Sequence, residues 1–198
     1  GLKDVILLER HRPASGGTGK SAAIVRQHYS TELMARLALN SVILFENMNK
    51  ELNIDNAFYK TGYIMLVPEE LMEKAANNLE MQKNVGIETD WLPKSQWKKF
   101  VPWLNTKNVS GVVYEPKGGR ADPIRVTEGY LNRFTELGGE LRTKTFCREI
   151  IKESGRVIGV VVDEGIIYSD VVVNAAGPWS KPIAEQAGIE LPPKSFRE

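Results

Sequence analysis

Cysteine is nearly absent. One residue, Cys147, stands among 198, which excludes an internal disulfide and any multi-cysteine metal site and suits a reducing, cytoplasmic setting. Long apolar runs are missing too. Stretches such as Val157 to Val162 and Val171 to Val173 fall far below the roughly 20 residues a helix needs to cross a bilayer, so no membrane span is expected. Charge of one sign is not concentrated anywhere: Lys and Arg number 26 against 25 Asp and Glu, for a net charge of +1. Such a balance leaves no electrostatic footprint for nucleic acid, which is not an expected partner. Histidine is scarce, and His11 and His28 lack carboxylate or cysteine partners at ligand spacing. No metal site is expected, and each histidine reads as a surface or loop residue. The chain also shows no initiating Met, no signal-peptide pattern and no glycine-rich turn ahead of its first strand. The expectation is an interior piece of a longer protein.

What is present supports a real core, with 42% hydrophobic residues. Val5 to Glu9 reads as a short strand ending on a carboxylate. Ser30 and Thr31 are N-cap candidates for a long helix ending near Asn53, with Leu33, Met34, Leu37, Ala38, Leu44, Phe45, Met48 and Leu52 as its apolar stripe. Phe58 to Val67 reads as a strand, interrupted by Thr61-Gly62 and closed by Pro68. A second helix begins at Glu69-Glu70 and stops at Gly86, burying Leu71, Met72, Ala75, Ala76, Leu79 and Val85. Trp91, Trp97 and Trp103 then lie among prolines and lysines, as ordinary packing of a small subdomain. Val112 to Glu115 is strand-like, and Asp122-Pro123 opens a helix that runs to Gly138-Gly139.

The last third is rich in β signals: Glu140 to Thr143, Thr145 to Lys152, Arg156 to Val162 and Ile166 to Val173, parted by Ser154-Gly155 and Asp163-Glu164-Gly165. Antiparallel hairpins are expected there. Val171-Val172-Val173 reads as a strand buried on both faces, and the small residues Ala175-Ala176-Gly177 after it allow close backbone approach to a flat or phosphorylated group. Alternation of strands and helices gives an α/β fold with residues 58–120 as an insertion.

Glu9 carries a specific meaning in such a fold. Where a dinucleotide-binding sheet ends its second strand on a carboxylate, that group accepts both ribose hydroxyls of an adenosine. The run Gly16-Gly17-Thr18-Gly19-Lys20-Ser21-Ala22-Ala23-Ile24-Val25-Arg26-Gln27, the segment Thr61-Gly62-Tyr63-Ile64, the turn Gly118-Gly119-Arg120-Ala121-Asp122-Pro123 and Asn174-Ala175-Ala176-Gly177-Pro178-Trp179-Ser180 follow it in order. Together they resemble the FAD-dependent amine and amino-acid oxidoreductases, the group of glycine oxidase, sarcosine oxidase, dimethylglycine dehydrogenase and D-amino-acid oxidase.

The resemblance implies a Rossmann-like FAD-binding domain, residues 1–56 and 121–198, interrupted by a mixed, largely antiparallel substrate domain, residues 57–120. It implies FAD as cofactor and an amine or amino acid as substrate, oxidised by hydride transfer to the flavin. Glu9 and Arg10 would face the adenosine. Gly17, Thr18, Gly19, Lys20, Ser21 and Ala22 would run beside the pyrophosphate and ribityl chain. The strand through Cys147 would touch adenine by its main chain, and Ala175, Ala176, Gly177 and Trp179 would pass under the cofactor. Arg26 is the catalytic candidate, as carboxylate anchor or as a charge that stabilises reduced flavin. Partners implied are the missing N- and C-terminal segments or an additional subunit. Lys20 stands where this group usually has Arg, and Cys147 where it commonly has Val.

Two other classes compete. Ala14-Ser15-Gly16-Gly17-Thr18-Gly19-Lys20-Ser21 imitates the phosphate loop of an NTPase apart from its first residue, and Val160-Val161-Val162-Asp163 imitates a Mg²⁺-binding strand. Against this, Arg10 to Pro13 separates the loop from its strand, and Asp163 falls in a hairpin turn. The third reading is a non-catalytic flavin-binding subunit of a larger complex.

Overall fold

The structure is a computed structural model describing residues 2–192; the last six positions of the expected 121–198 segment lie outside the described residues. In chain order the elements are β1 (Ile6–Glu9), β2 (Ile24–Val25), α1 (Glu32–Leu52), β3 (Phe58–Tyr59), β4 (Tyr63–Val67), α2 (Met72–Val85), β5 (Asp90–Trp91) and α3 (Trp97–Phe100). They continue as β6 (Gly111–Glu115), β7 (Gly119–Ala121), α4 (Pro123–Glu136), β8 (Glu140–Thr143), β9 (Glu149–Glu153), β10 (Arg156–Val162), β11 (Gly165–Tyr168) and α5 (Ser180–Gln186). The chain forms two compact units, Ala14–Arg133 and the combination of Gly1–Pro13 with Phe134–Glu198. Among the described residues no helix is long and apolar enough to cross a membrane.

In the unit Ala14–Arg133, α1 follows Thr31 and stops where Asn53 turns left-handed at φ 50°. Its buried face is Ala35, Ala38, Val42 and Met48, so the expected leucine stripe is corrected: Leu33, Leu37 and Leu44 are all more than half exposed. Small residues win the inner face because they let the helix come close, as where Ala35 meets Val85 and Ile87. The second helix begins as a 3₁₀ turn, Glu69–Leu71, before α2, and Gly86 at φ 101° ends it. Its residues Ala75 and Leu79, with Met72, pack on Val67, Val113, Met65 and Trp91 of the sheet ordered β4-β6-β5.

The opposite face of that sheet covers a second cluster, Leu92, Trp97 and Val112, in which the Trp97 indole N–H donates to the Leu92 carbonyl at 2.8 Å. Trp103 departs from expectation. It is 80% exposed, because Pro102 and Trp103 form a turn beyond α3 that reaches neither cluster.

The expected single strand from Phe58 to Val67 is in fact two. Gly62 turns left-handed at φ 77°, its N–H donates to the Gly118 carbonyl, and the chain changes sheets there. β3 joins β7 and β2, whereas β4 joins β6 and β5. The partner chain divides at the same level, into β6 and β7, so one kinked ribbon feeds two small sheets. Asp122 caps α4 by accepting from the Ile124 and Arg125 N–H groups, both at 3.0 Å.

The second unit also corrects the hairpin reading in part. β8 pairs parallel with β1, from Ile6 opposite Glu140 to Glu9 opposite Thr143, since a helix and not a turn precedes it. β9, β10 and β11 form the expected antiparallel meander. β9 starts only at Glu149, because the backbone from Thr145 turns back to the end of β1, the Thr145 N–H donating to the Glu9 carbonyl. The core holds Ile150, Val160 and Val162, with Leu8, Cys147, Val172 and Ile183 against them. Val171 to Val173 is not a strand buried on both faces: Val171 and Val173 are 69% and 80% exposed while Val172 turns inward. No strand among the described residues pairs with this segment, and burial on two faces requires neighbours.

Gly119 in β7 tests the close packing of the ribbon. A Cβ there would stand 2.1 Å from the Tyr59 carbonyl oxygen, a backbone atom that cannot swing aside. Gly119→Ala is expected to destabilise the protein by about 1–3 kcal/mol, measured by urea denaturation, whereas Gly17→Ala, with nothing within 4 Å of the new methyl, should change stability far less.

Candidate functional site

The glycine-rich segment folds on itself. Gly19 N–H donates to the Ala14 carbonyl at 3.0 Å, and Lys20 and Ser21 N–H groups close the 3₁₀ turn Thr18–Lys20. Gly19 is needed for this closure, because a Cβ would sit 2.1 Å from the Ala14 oxygen. The geometry is not that of a phosphate loop: a strand, β2, follows the turn, and the next long helix begins only at Glu32. The Gly17 and Thr18 N–H groups have no hydrogen bond among the described residues, and Gly17, Thr18, Gly19, Lys20, Ser21 and Ala22 are all exposed.

From this turn β2 leads to Arg26. Beside it lies a groove of about 430 Å³, lined by Thr18, Ser21, Arg26 and Tyr29 together with the apolar Phe45 and Val126. Two rings hold the Arg26 guanidinium, at 5.3 Å from the Tyr29 centroid and 5.8 Å from that of Tyr63. Its Nη1 also donates weakly to the Tyr63 hydroxyl at 3.4 Å. The cation is exposed yet positioned, which an anion can use without paying to order it.

Behind Arg26 the chain turns inward. Gln27 and His28 are buried against Glu115, the last residue of β6, which is itself fully buried. Glu115 Oε2 accepts from the Gln27 backbone N–H at 2.8 Å, and Oε1 lies 3.6 Å from His28 Nδ1. From α2, the Gln82 amide donates to the Tyr29 carbonyl at 3.0 Å. Burial pushes the Glu115 carboxyl up from its ordinary 4.5, against the pull of the Gln27 N–H and the Arg26 charge. Burial, then Arg26, hold His28 below 6.5. His28 is therefore no surface residue, a correction whose cause is the carboxylate brought to it from 87 positions away in the chain.

The other unit carries the remaining candidates. Glu9 is half-buried at the end of β1, and its Oε1 accepts the His11 N–H at 2.7 Å, leaving the second oxygen without a partner among the described residues. Arg10 lies over the Phe146 ring at 4.9 Å, with Arg148 at 5.1 Å to the same ring. Cys147 is in an extended stretch before β9 and outside any strand; burial raises its thiol pKa. Ala175, Ala176, Gly177 and Trp179 form a turn closed at both ends by Asn174, which accepts from the Ala176 N–H and donates to the Ser180 carbonyl. Among the described residues no group of histidine, cysteine and carboxylates could hold a metal.

The structure thus brings Thr18, Ser21 and Arg26 to one groove, and Glu9, Arg10 and the Cys147 segment to one strand end. Sequence reasoning missed Gln27, His28, Tyr29, Tyr63 and Glu115. One signal was available: Val113 and Glu115 share a face of β6, so a charged residue stood where alternation calls for an apolar one.

Residues 1–197 match a family described as DAO, FAD dependent oxidoreductase. The sarcosine oxidase subunit beta of Rhodobacter capsulatus is 29% identical over 206 residues, spanning 99% of this chain and 49% of that protein. The 4-methylaminobutanoate oxidase (formaldehyde-forming) of Paenarthrobacter nicotinovorans is 25% identical over 97% of this chain and 23% of its own length. The crystal structure of L-proline dehydrogenase from P. horikoshii superposes with a TM-score of 0.88 at 29% identity, covering 93% of this chain and 49% of that one. The chain spans about half or less of the length of these relatives.

The buried pair makes a pH prediction. Glu115, raised in the fold, contributes stability that is whole below 4.5 and is lost as pH rises through its native value; His28, lowered, contributes stability present above 6.5 and lost as pH falls through its own. Glu115→Gln, which keeps an acceptor for the Gln27 N–H, is expected to remove the loss on the alkaline side in thermal melts taken across pH. Glu115→Ala is expected to cost about 1–3 kcal/mol at neutral pH, because the Gln27 N–H is left buried without a partner.

Proposed function

Because the chain belongs to the FAD dependent oxidoreductase family, we propose that its protein oxidises the amine of an amino acid or N-methyl amino acid, with Arg26 as the anchor for the substrate carboxylate. The observation that carries this reading is the Arg26 cation held between Tyr29 and Tyr63 beside a groove that apolar residues such as Phe45 and Val126 also line. A planar guanidinium in a fixed orientation meets a carboxylate with two parallel hydrogen bonds. The names of the sarcosine oxidase, methylaminobutanoate oxidase and proline dehydrogenase relatives support the substrate class.

Taken separately, each unit offers groups that suit a part of an FAD cofactor. Free N–H groups at Gly17 and Thr18 suit phosphate oxygens, and the uncommitted oxygen of Glu9 suits a ribose hydroxyl. Lys20, exposed in the same turn as the Gly17 and Thr18 N–H groups, adds charge, and Ser21 and Ala22 are exposed next to it. Arg10 and the Cys147 backbone frame the adenosine end, and the Ala175 to Trp179 turn offers small residues for close passage. FAD held by these groups would supply the hydride acceptor for oxidation of the carbon next to the amine. Arg26 would orient the substrate by its carboxylate for that oxidation.

We assign residues 57–120 to a substrate domain and 1–56 with 121–198 to the FAD domain; the antiparallel β4-β6-β5 sheet under α2 supports the first assignment. A cytoplasmic location accords with the single cysteine. The subunit-beta name of a relative supports assembly with a further subunit.

Two substitutions in the complete, FAD-loaded protein test these roles. Glu9→Ala is expected to weaken FAD retention at least about tenfold, since a hydrogen bond to a charged acceptor is worth about 1.5–3 kcal/mol, and to weaken the apoprotein fold less, by the loss of the exposed His11 N–H bond alone. Arg26→Met is expected to lower kcat/KM for sarcosine, glycine or L-proline at least about tenfold relative to the matching amines without a carboxylate. Equal loss for acid and amine would move Arg26 from substrate anchoring to flavin tuning.

A further inference from the structure

Six buried polar atoms have no hydrogen-bond partner among the described residues: both amide atoms of Gln27, His28 Nδ1, Gln82 Oε1, Thr89 Oγ1 and Glu115 Oε1. Burying polar atoms without partners is costly. Five of them lie on residues tied to one another through Glu115, His28 and the segment leading out of Arg26.

Sheet register explains why they meet. Tyr63 of β4 stands opposite Glu115 of β6, and Asp90 of β5 stands opposite Tyr114, so continuing that ladder by one residue brings Thr89 level with Glu115. Directly opposed residues share a face. That face packs on α2 through Val67, Val113 and Leu79, and its apolar row gives out at Glu115. The Arg26 to Tyr29 segment covers this end, with Arg26 on Tyr63, Gln27 and His28 on Glu115, and Tyr29 on Gln82.

One proton decides the charge of this assembly. Glu115 Oε1 and His28 Nδ1, 3.6 Å apart, are too far for a hydrogen bond, yet close enough that the charge on one bears on the other. When Glu115 is ionised, a buried negative charge sits behind the Arg26 cation. The titratable groups around Glu115 are Arg26 and His28 from the covering segment and Tyr63 from β4. α2 contributes the uncharged Gln82, and Lys117, two residues on, is paired with Glu88 at 3.7 Å. The Arg26 charge acts on both Glu115 and His28.

We propose that Glu115 is a buried specificity-determining residue for the carboxylate subsite: its protonation leaves the full Arg26 charge facing an acidic substrate, and its ionisation masks that charge. The inference rests on the reading of Arg26 as substrate anchor. Glu115 touches neither substrate nor flavin in this arrangement. It acts through Arg26, by setting the net charge behind the guanidinium and by holding the Gln27 N–H that fixes the backbone next to it. Linkage makes the effect reciprocal, so a carboxylate bound at Arg26 raises the pKa of Glu115 by the same factor that Glu115 protonation raises carboxylate affinity.

The test uses the complete, FAD-loaded protein as wild type, Glu115→Gln and Arg26→Met. Steady-state kcat/KM is measured across the Glu115 titration for sarcosine against dimethylamine, glycine against methylamine and L-proline against pyrrolidine. In the wild type the preference for the acid over its amine is expected to fall about fivefold or more as pH rises, and in Glu115→Gln to stay level with pH. Independently, ¹³C NMR of the side-chain carboxyl in glutamate-labelled protein follows Glu115 directly, with acetate as the added carboxylate. Its titration is expected to move to higher pH with acetate present, and Arg26→Met to abolish that movement.

A wild-type pH dependence retained by Glu115→Gln overturns the proposal and leaves the Arg26 assignment standing. An Arg26→Met protein that still prefers acids over amines removes the Arg26 assignment and this proposal with it. Should Glu115→Gln fail to fold, the wild-type NMR titration decides, and a Glu115 signal indifferent to acetate overturns the proposal.

Discussion

A single buried carboxylate accepting a backbone N–H organises the unit Ala14–Arg133. Glu115 ends the middle strand of the β4-β6-β5 sheet, and the Gln27 N–H comes to its Oε2 at 2.8 Å. A charged acceptor strengthens such a bond and penalises its loss, because the donor is buried with it. Held this way, the segment after β2 cannot slide along the sheet. Arg26 is thereby directed outward between Tyr29 and Tyr63 while its two successors face inward.

The same segment joins the two small sheets of its unit. β2 pairs with β7, β7 with β3, and the chain then crosses at Gly62 and Gly118 to the neighbouring β4-β6-β5 sheet. Glycines are required at this crossing by close backbone approach: a Cβ on Gly118 would press on Tyr63 at 2.7 Å, and one on Gly119 on the Tyr59 carbonyl. Arg26 and Tyr63 are placed from opposite sides of that crossing. The groove beside Arg26 is thus a product of how the ribbon kinks, with α1 and α4 supplying the apolar Phe45 and Val126 to its lining.

In the other unit the parallel pairing of β1 with β8 places Glu9 beside the turn into the Cys147 segment. The Glu9 side chain spends one oxygen on the His11 N–H, which shapes the chain leaving the strand and keeps the second oxygen available. Glu9 therefore has a structural task alongside the ligand task proposed for it, and the two do not compete for the same atom.

Local chemistry decided what could be read without coordinates. Asp122-Pro123 announced the start of α4, Asn53 and Gly86 the ends of α1 and α2, and Ser154-Gly155 a hairpin, because capping and left-handed turns depend on a few adjacent residues. Motif order, from the strand ending on Glu9 to the Asn174 turn, was enough to indicate the family. The residues around Arg26 were another matter. His28 read as a surface or loop residue, and its burial was not legible because its partner is distant in the chain, and Tyr63 read as one residue of a strand because its neighbour across the sheet was unknown. Leu33, Leu37 and Leu44 read as core, since periodicity identifies an apolar stripe but not which helix face another element will cover. The sequence by itself determined the elements, their caps and the family, which rest on short-range preferences and ordered motifs. Only the tertiary structure decided that Arg26 would be gripped by two tyrosines and backed by a buried Glu115, because register across a sheet joins residues that no local rule connects.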